Sequence, residues 1–184
     1  MAHTDYRVSR NGSPARELLR WQFRLAHELV EDALERLCTG PVDRIQRDTS
    51  ASVAAWYAQV VLCEDFSVSG VLADGKPLAF SSWAGRTGLS RVPPLGEWSE
   101  WRGWARQLHI DLANVRRYAN AVYASTDTCI ANLSDELLDP SHRERPACLL
   151  SALLMTLSMR RGELACLQGQ MKGHGSCCEG SLNR

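Results

Sequence analysis

The chain is poor in lysine and has no net charge. Of its 21 basic residues only Lys76 and Lys172 are lysine, the rest being arginine, and 21 acidic residues balance them. A nucleic-acid surface needs a basic excess or stripe. Neither is visible, so no nucleic-acid partner is expected. Long apolar runs are also missing: none approaches the ~20 residues that cross a bilayer. The opening stretch, Met1 to Pro14, has no apolar signal-peptide core. No membrane partner is expected, and the cytoplasm is the default compartment. Seven cysteines, an odd number without framework spacing, argue against a disulfide scaffold. Cys38, Cys63, Cys129, Cys148 and Cys166 stand singly, mostly in apolar helical surroundings where cysteine acts as a small hydrophobe. Cys177-Cys178 lies in a Gly/Ser-rich tail. It reads as a frayed end before it reads as a metal or redox pair. No Ser/His/Asp order, phosphate-binding glycine loop or dinucleotide fingerprint is present, which sets aside hydrolase, kinase and dehydrogenase chemistry.

What the sequence does have is helical periodicity. With 184 residues and 45% hydrophobic side chains, it can bury one core without staples. Residues 1–12 are polar and read as disordered. Ser13-Pro14 is a helix start. Leu18, Leu19, Phe23, Leu25, Ala26, Leu29, Val30, Ala33, Leu34 and Leu37 then trace one apolar face to about Cys38. Thr49, Ser50 or Ser52 can cap a second helix from about Ala51 to Val71. A third is predicted from about Leu108 to Leu133. A fourth starts near Pro146 and stops at Gly169. Residues 13–172 thus form one domain, and 173–184 a flexible tail. The expected fold is all-α, a four-helix bundle.

Residues 75–105 are irregular and carry Trp83, Trp98, Trp101 and Trp104. A solvated linker would not hold four tryptophans. They either seal one end of the bundle or line the mouth of a pocket for a flat apolar ligand. Trp21 and Trp56 read as core. His27 reads as a boundary histidine with one hydrogen bond, and His109 as solvated at the start of the third helix. His142 and His174 lie in polar segments.

Several stretches resemble the DinB/YfiT-like family of bacterial proteins. Leu18-Leu19-Arg20-Trp21-Gln22-Phe23 through His27 is similar to its first helix. Trp56 to Asp65 is similar to its second. Trp83-Ala84-Gly85-Arg86-Thr87-Gly88-Leu89-Ser90 matches a loop motif of a subgroup. Asp111 to Asp127 and Arg161 to Gly169 resemble its third helix and the end of its fourth. The resemblance covers roughly residues 15–175. It implies a DinB-like bundle, often dimeric in the family, and it locates the family's metal ligands, mostly histidines. Here those positions hold Gln59 on the second helix and Thr156 and Arg160 on the fourth. Positions i and i+4 share a helix face, but a guanidinium stays cationic and offers no lone pair to a metal. No metal or other cofactor is expected at that place.

The resemblance leaves three functional classes. The first is a metal-independent enzyme holding an apolar small molecule in the bundle cavity and promoting cyclisation, isomerisation or addition, as in specialised metabolism. Gln59 and Thr156 would supply neutral hydrogen bonds there and Arg160 a fixed cation for a developing negative charge. Glu64, Asp65 and Glu163 are acid/base candidates. Trp56, Asp65, Trp83, Trp101, Tyr118 and Glu163 are candidate substrate contacts. The second class is a low-molecular-weight-thiol transferase whose thiolate is stabilised by Arg160 instead of a metal. The third is a non-catalytic binding or self-resistance protein. A bland alternative stands beside all three: Arg160 pairs with a nearby carboxylate and fills the place inertly. The partner expected in each functional class is a small molecule; the oligomeric state is left open.

Overall fold

The computed structural model describes residues 13–38, 47–72, 75–91, 104, 108–138 and 146–176, the side chains of 37–38, 47–52, 70–71 and 164–176 excepted. Four long helices dominate: α1 (Pro14–Cys38), α2 (Arg47–Asp65), α3 (Leu112–Asn132) and α4 (Pro146–Ser176). Among the described residues there is no β-strand, only an isolated antiparallel bridge between Leu89 and Ile110.

α1 begins as its sequence dictates. Pro14 is the first helical residue, and the Ser13 carbonyl accepts the Glu17 N–H at 3.1 Å. Glu17 in the first turn and Arg36 in the last both suit the helix dipole. α2 starts earlier than read. Thr49, Ser50 and Ser52 lie inside it, so they are not its caps. Its α winding ends at Asp65, and Phe66–Leu72 continues as a wider π-helical stretch. Two serines, a glycine and two valines there hold the α geometry weakly.

α3 is shorter than predicted. Residues 108–111 are not helical; Ile110 bridges to Leu89, and the Asp111 N–H donates to the Gly88 carbonyl at 2.8 Å. Asp111 then caps α3, its carboxylate accepting from the Asn114 N–H at 3.2 Å. His109 therefore precedes the helix, exposed as expected. α4 begins at Pro146 as read but passes Gly169 and continues to Ser176. A glycine inside a helix costs about 1 kcal/mol relative to alanine and stops it only when the chain turns left-handed there.

α1 packs against α3 and α4, while α2 packs mainly against α3 and meets α4 along a shorter stretch. Two hydrophobic clusters form the interior. One joins Val30 and Leu34 of α1, Tyr57, Val61 and Leu62 of α2, and Val115, Tyr118 and Val122 of α3. The other joins Phe23, Val60, Val68, Ile130, Leu150, Leu153 and Leu157. Each fully buried aliphatic side chain contributes about 1.5–3 kcal/mol. Trp83 and Trp104 pack on the first cluster, and Trp56 touches both. Trp98 and Trp101 lie outside the described residues. Trp21, read as core, is 39% exposed: its α1 neighbours Leu18 and Leu25 share that outer face, which no described element covers. No helix among the described residues is long and apolar enough to cross a membrane.

Candidate functional site

A polar layer separates the two clusters. It contains His27 of α1, Glu64 of α2 and Thr126 of α3. His27 falls between Phe23 and Val30 on α1, and Thr126 between Val122 and Ile130 on α3, so the layer marks the border on each helix. The Glu64 carboxyl is fully buried. His27 Nε2 lies 3.0 Å from each of its oxygens, and Thr126 Oγ1 donates to Oε1 at 2.6 Å. The imidazole stacks on the Tyr123 ring, centroids 3.8 Å apart. His27 is thus far deeper than a boundary histidine. Burying a carboxyl this completely is tolerable only because each oxygen is bonded.

One turn further along α1, Glu31 gathers a second set of partners. Tyr57 donates to Oε1, Tyr123 donates to the same oxygen at 3.0 Å, and Arg116 Nε donates to Oε2 at 3.2 Å. Burial, with Glu31 beside it, pushes the Tyr57 phenol far above its ordinary value, and burial does the same to Tyr123. Both stay neutral donors. His27, Glu31, Tyr57, Arg116, Tyr123 and Thr126 were not singled out as a group from sequence, because their proximity is tertiary. The one signal was the spacing of His27 and Glu31, which puts both on one face of α1.

Asp65 points elsewhere. Its carboxylate accepts the Leu78 N–H at 2.8 Å, the Ala79 N–H at 2.9 Å and the Tyr118 hydroxyl at 2.6 Å. It clamps the start of the short 3-10 turn Leu78–Phe80 against α2 and α3. Asp65 and Tyr118 are both fully buried and committed to each other. As candidate substrate contacts they offer no free surface to a ligand.

The residues that the resemblance assigns to metal positions lie on α2 and α4. Thr156 is half-buried, and its hydroxyl donates to the Ala152 carbonyl of its own helix at 2.9 Å. Arg160 Nη1 and the Trp56 indole each reach Glu163 Oε2 at 2.9 Å. Glu163 stays below its ordinary value; burial opposes this, but the bonds from Trp56 and Arg160 outweigh it. Gln59 is half-buried on α2. The structure thus joins Arg160, Glu163 and Trp56, and puts Glu64 in a separate buried layer. A hydroxyl turned back on its helix and an ion-paired guanidinium do not fit a divalent cation. Among the described residues no group of three or more His, Cys, Asp or Glu side chains could hold a metal ion. Cys63 is close enough to feel the Arg160 charge, but burial dominates and pushes its thiol up. A neutral thiol is a weak nucleophile.

None of these residues lines the described cavity. A groove of about 680 Å³ runs between the outer face of α3 and the segment that follows α2. One wall is Ala121, Ala124, Ser125, Thr128, Cys129 and Asn132, a continuous α3 face. The facing wall includes Leu72, Leu78, Ser82 and Trp83. The Asp65 clamp fixes that wall, since it holds the turn from which Trp83 follows. Of the sequence-read site residues that lie among the described residues, only Trp83 lines this groove.

No family model, curated protein or solved structure matches the chain. The geometry alone therefore carries the functional reading.

Proposed function

We propose that this is a metal-independent, DinB-like bundle protein of the cytoplasm that binds an apolar small organic molecule in the α3 groove. The carrying observation is the groove itself: about 680 Å³, one wall built from small α3 side chains and the other from Trp83 and two leucines. Ligand pockets fall at ~300–1,000 Å³ and combine apolar walls with a few polar groups. The acid/base candidates Glu64 and Asp65 are sealed in the core, away from such a ligand. Binding is therefore the primary activity. Cyclisation, isomerisation or addition of the bound molecule would rest on holding a reactive conformation, not on proton transfer.

The test is to fill the groove. Ala121→Trp places an indole on the α3 wall without touching either buried cluster. Nile red, a neutral apolar dye, is titrated into wild type and variant, with helicity checked by circular dichroism. Wild type should bind one dye saturably, and the variant should lose at least tenfold in affinity at unchanged helicity. Equal affinity would show that the dye, and the ligand it represents, sits elsewhere.

A further inference from the structure

We infer that the groove selects an uncharged, elongated ligand: an aromatic or polycyclic body lying against Trp83, with a carbonyl, amide or hydroxyl group at the far end near Asn132. This deepens the reading above and rests on it.

Among the described residues, none that lines the groove is Asp, Glu, Lys, Arg or His. The sole titratable side chain among them is the Cys129 thiol, which burial pushes up and so keeps neutral. An ion entering the groove would lose hydration without a counter-charge among these lining residues, which is unfavourable. Asp127, next along α3 from the groove residues, is turned to α1, where Arg20 Nη2 holds it at 2.6 Å and Arg24 lies at 3.8 Å. Arg86 touches the facing wall from outside the lining. Its guanidinium lies 5.5 Å from the Trp83 ring centroid and donates to the Ser82 carbonyl.

Polarity changes along the groove. Trp83 sits at the Ala121 end, because its ring lies 5.8 Å from that of Tyr118, one turn before Ala121. Leu72 and Leu133 belong to the other cluster and mark the opposite end. From Ala121 to Asn132 α3 rises about 16 Å at ~1.5 Å per residue. The Ala121 end offers an aromatic face and alanines. The other end offers Thr128 and Asn132. The Thr128 hydroxyl already donates to the Ala124 carbonyl at 2.8 Å, so it has only acceptor capacity left. An asparagine carboxamide both donates and accepts. A neutral amide, carbonyl or hydroxyl is its complement.

Three probes share a ring and a chain long enough to reach from Trp83 to Asn132 and differ in charge: 6-(2-naphthyl)hexanamide, 6-(2-naphthyl)hexanoate and 6-(2-naphthyl)hexylammonium. Each is titrated by calorimetry at neutral pH into the full chain, Asn132→Ala and Ala121→Trp. The carboxamide should bind at least tenfold tighter than either ion. Asn132→Ala should weaken the carboxamide at least threefold, and Ala121→Trp should abolish its binding. An ion binding as well as the carboxamide overturns the charge selection while the groove remains the site. Carboxamide binding unaffected by Ala121→Trp overturns the groove reading itself. No saturable carboxamide binding, or none of the loss in Asn132→Ala, overturns the ligand class proposed here.

Discussion

His27 Nε2 lies 3.0 Å from both carboxyl oxygens of Glu64, 37 positions apart in the chain. The pair has almost no contact with water. Together with Thr126 it pins α1, α2 and α3 at a single level.

Removing one partner strands the others. Glu64→Ala leaves the His27 ring nitrogen and the Thr126 hydroxyl without their acceptor, and should cost about 3–5 kcal/mol in urea unfolding. Glu64→Gln keeps an acceptor and the shape, and should cost roughly half as much. If Glu64→Ala unfolds at the wild-type midpoint, the layer contributes nothing to stability.

Asp65→Asn tests the clamp. An amide has one acceptor oxygen, so its NH2 would face either the Leu78 N–H or the Ala79 N–H and the Tyr118 hydroxyl. The loss should be about 2 kcal/mol. Hydrogen exchange at the Leu78 and Ala79 amides should speed up more than exchange within α1. Uniform acceleration throughout the bundle would mean that the turn is held by other contacts.

Gly88 and Gly85 both have positive φ, +84° and +70°, but differ in their surroundings. A Cβ on Gly88 would lie 2.5 Å from the Asp111 carbonyl oxygen and 2.8 Å from the Val115 nitrogen, whereas one on Gly85 meets nothing within 4 Å. Gly85→Ala should cost about 1 kcal/mol of backbone strain. Gly88→Ala should cost that plus the displacement of the α3 cap, about 2–4 kcal/mol in all. Equal melting temperatures for the two variants would contradict the contact.

Stability should fall at both ends of the pH range. In acid, the Arg20 bond holds the Asp127 carboxyl below its ordinary 3.8, against burial. Its folded value is the lower one, so its contribution is complete above 3.8 and fades as pH drops through the folded value. Asp127→Asn should flatten that acid limb. In alkali, Tyr57, Tyr118 and Tyr123 are all raised, chiefly by burial. Their neutral forms favour the fold, so stability should decline as pH rises past the ordinary phenol value of 10.0. In a phenolate absorbance titration, three of the four tyrosines should ionise only with unfolding. Reversible ionisation of all four in the folded chain would sink this.

The sequence made the helices legible because Leu, Val and Phe recur at three- and four-residue spacing, and the Ser13-Pro14 and Pro146 starts are local signals. It misplaced the start of α2, the start of α3 and the stop at Gly169; at α3, tertiary pairing outweighs local preference. His109 to Asp111 pair with residues 88–90 instead of winding. The site was harder. Glu64, His27 and Thr126 each resemble ordinary boundary residues until the fold brings them together across 37 and 62 positions. The groove wall is Ala, Ser, Thr and Asn, which in a sequence looks like any wet helix face. Only Trp83, conspicuous as an aromatic in a loop, pointed to it.

Glu64 and Asp65 are consecutive, yet they serve different partners, about 100° apart around α2. A single-residue deletion upstream in α2 would bring Asp65 to the His27 layer and leave Phe66 facing the turn. Both the histidine layer and the turn clamp would fail together. The π-helical winding begins at the very next residue, so slack in the chain is taken up after the pair and never before it. Length variation should therefore be better tolerated within the π-helical stretch than in the turns that lead to Glu64.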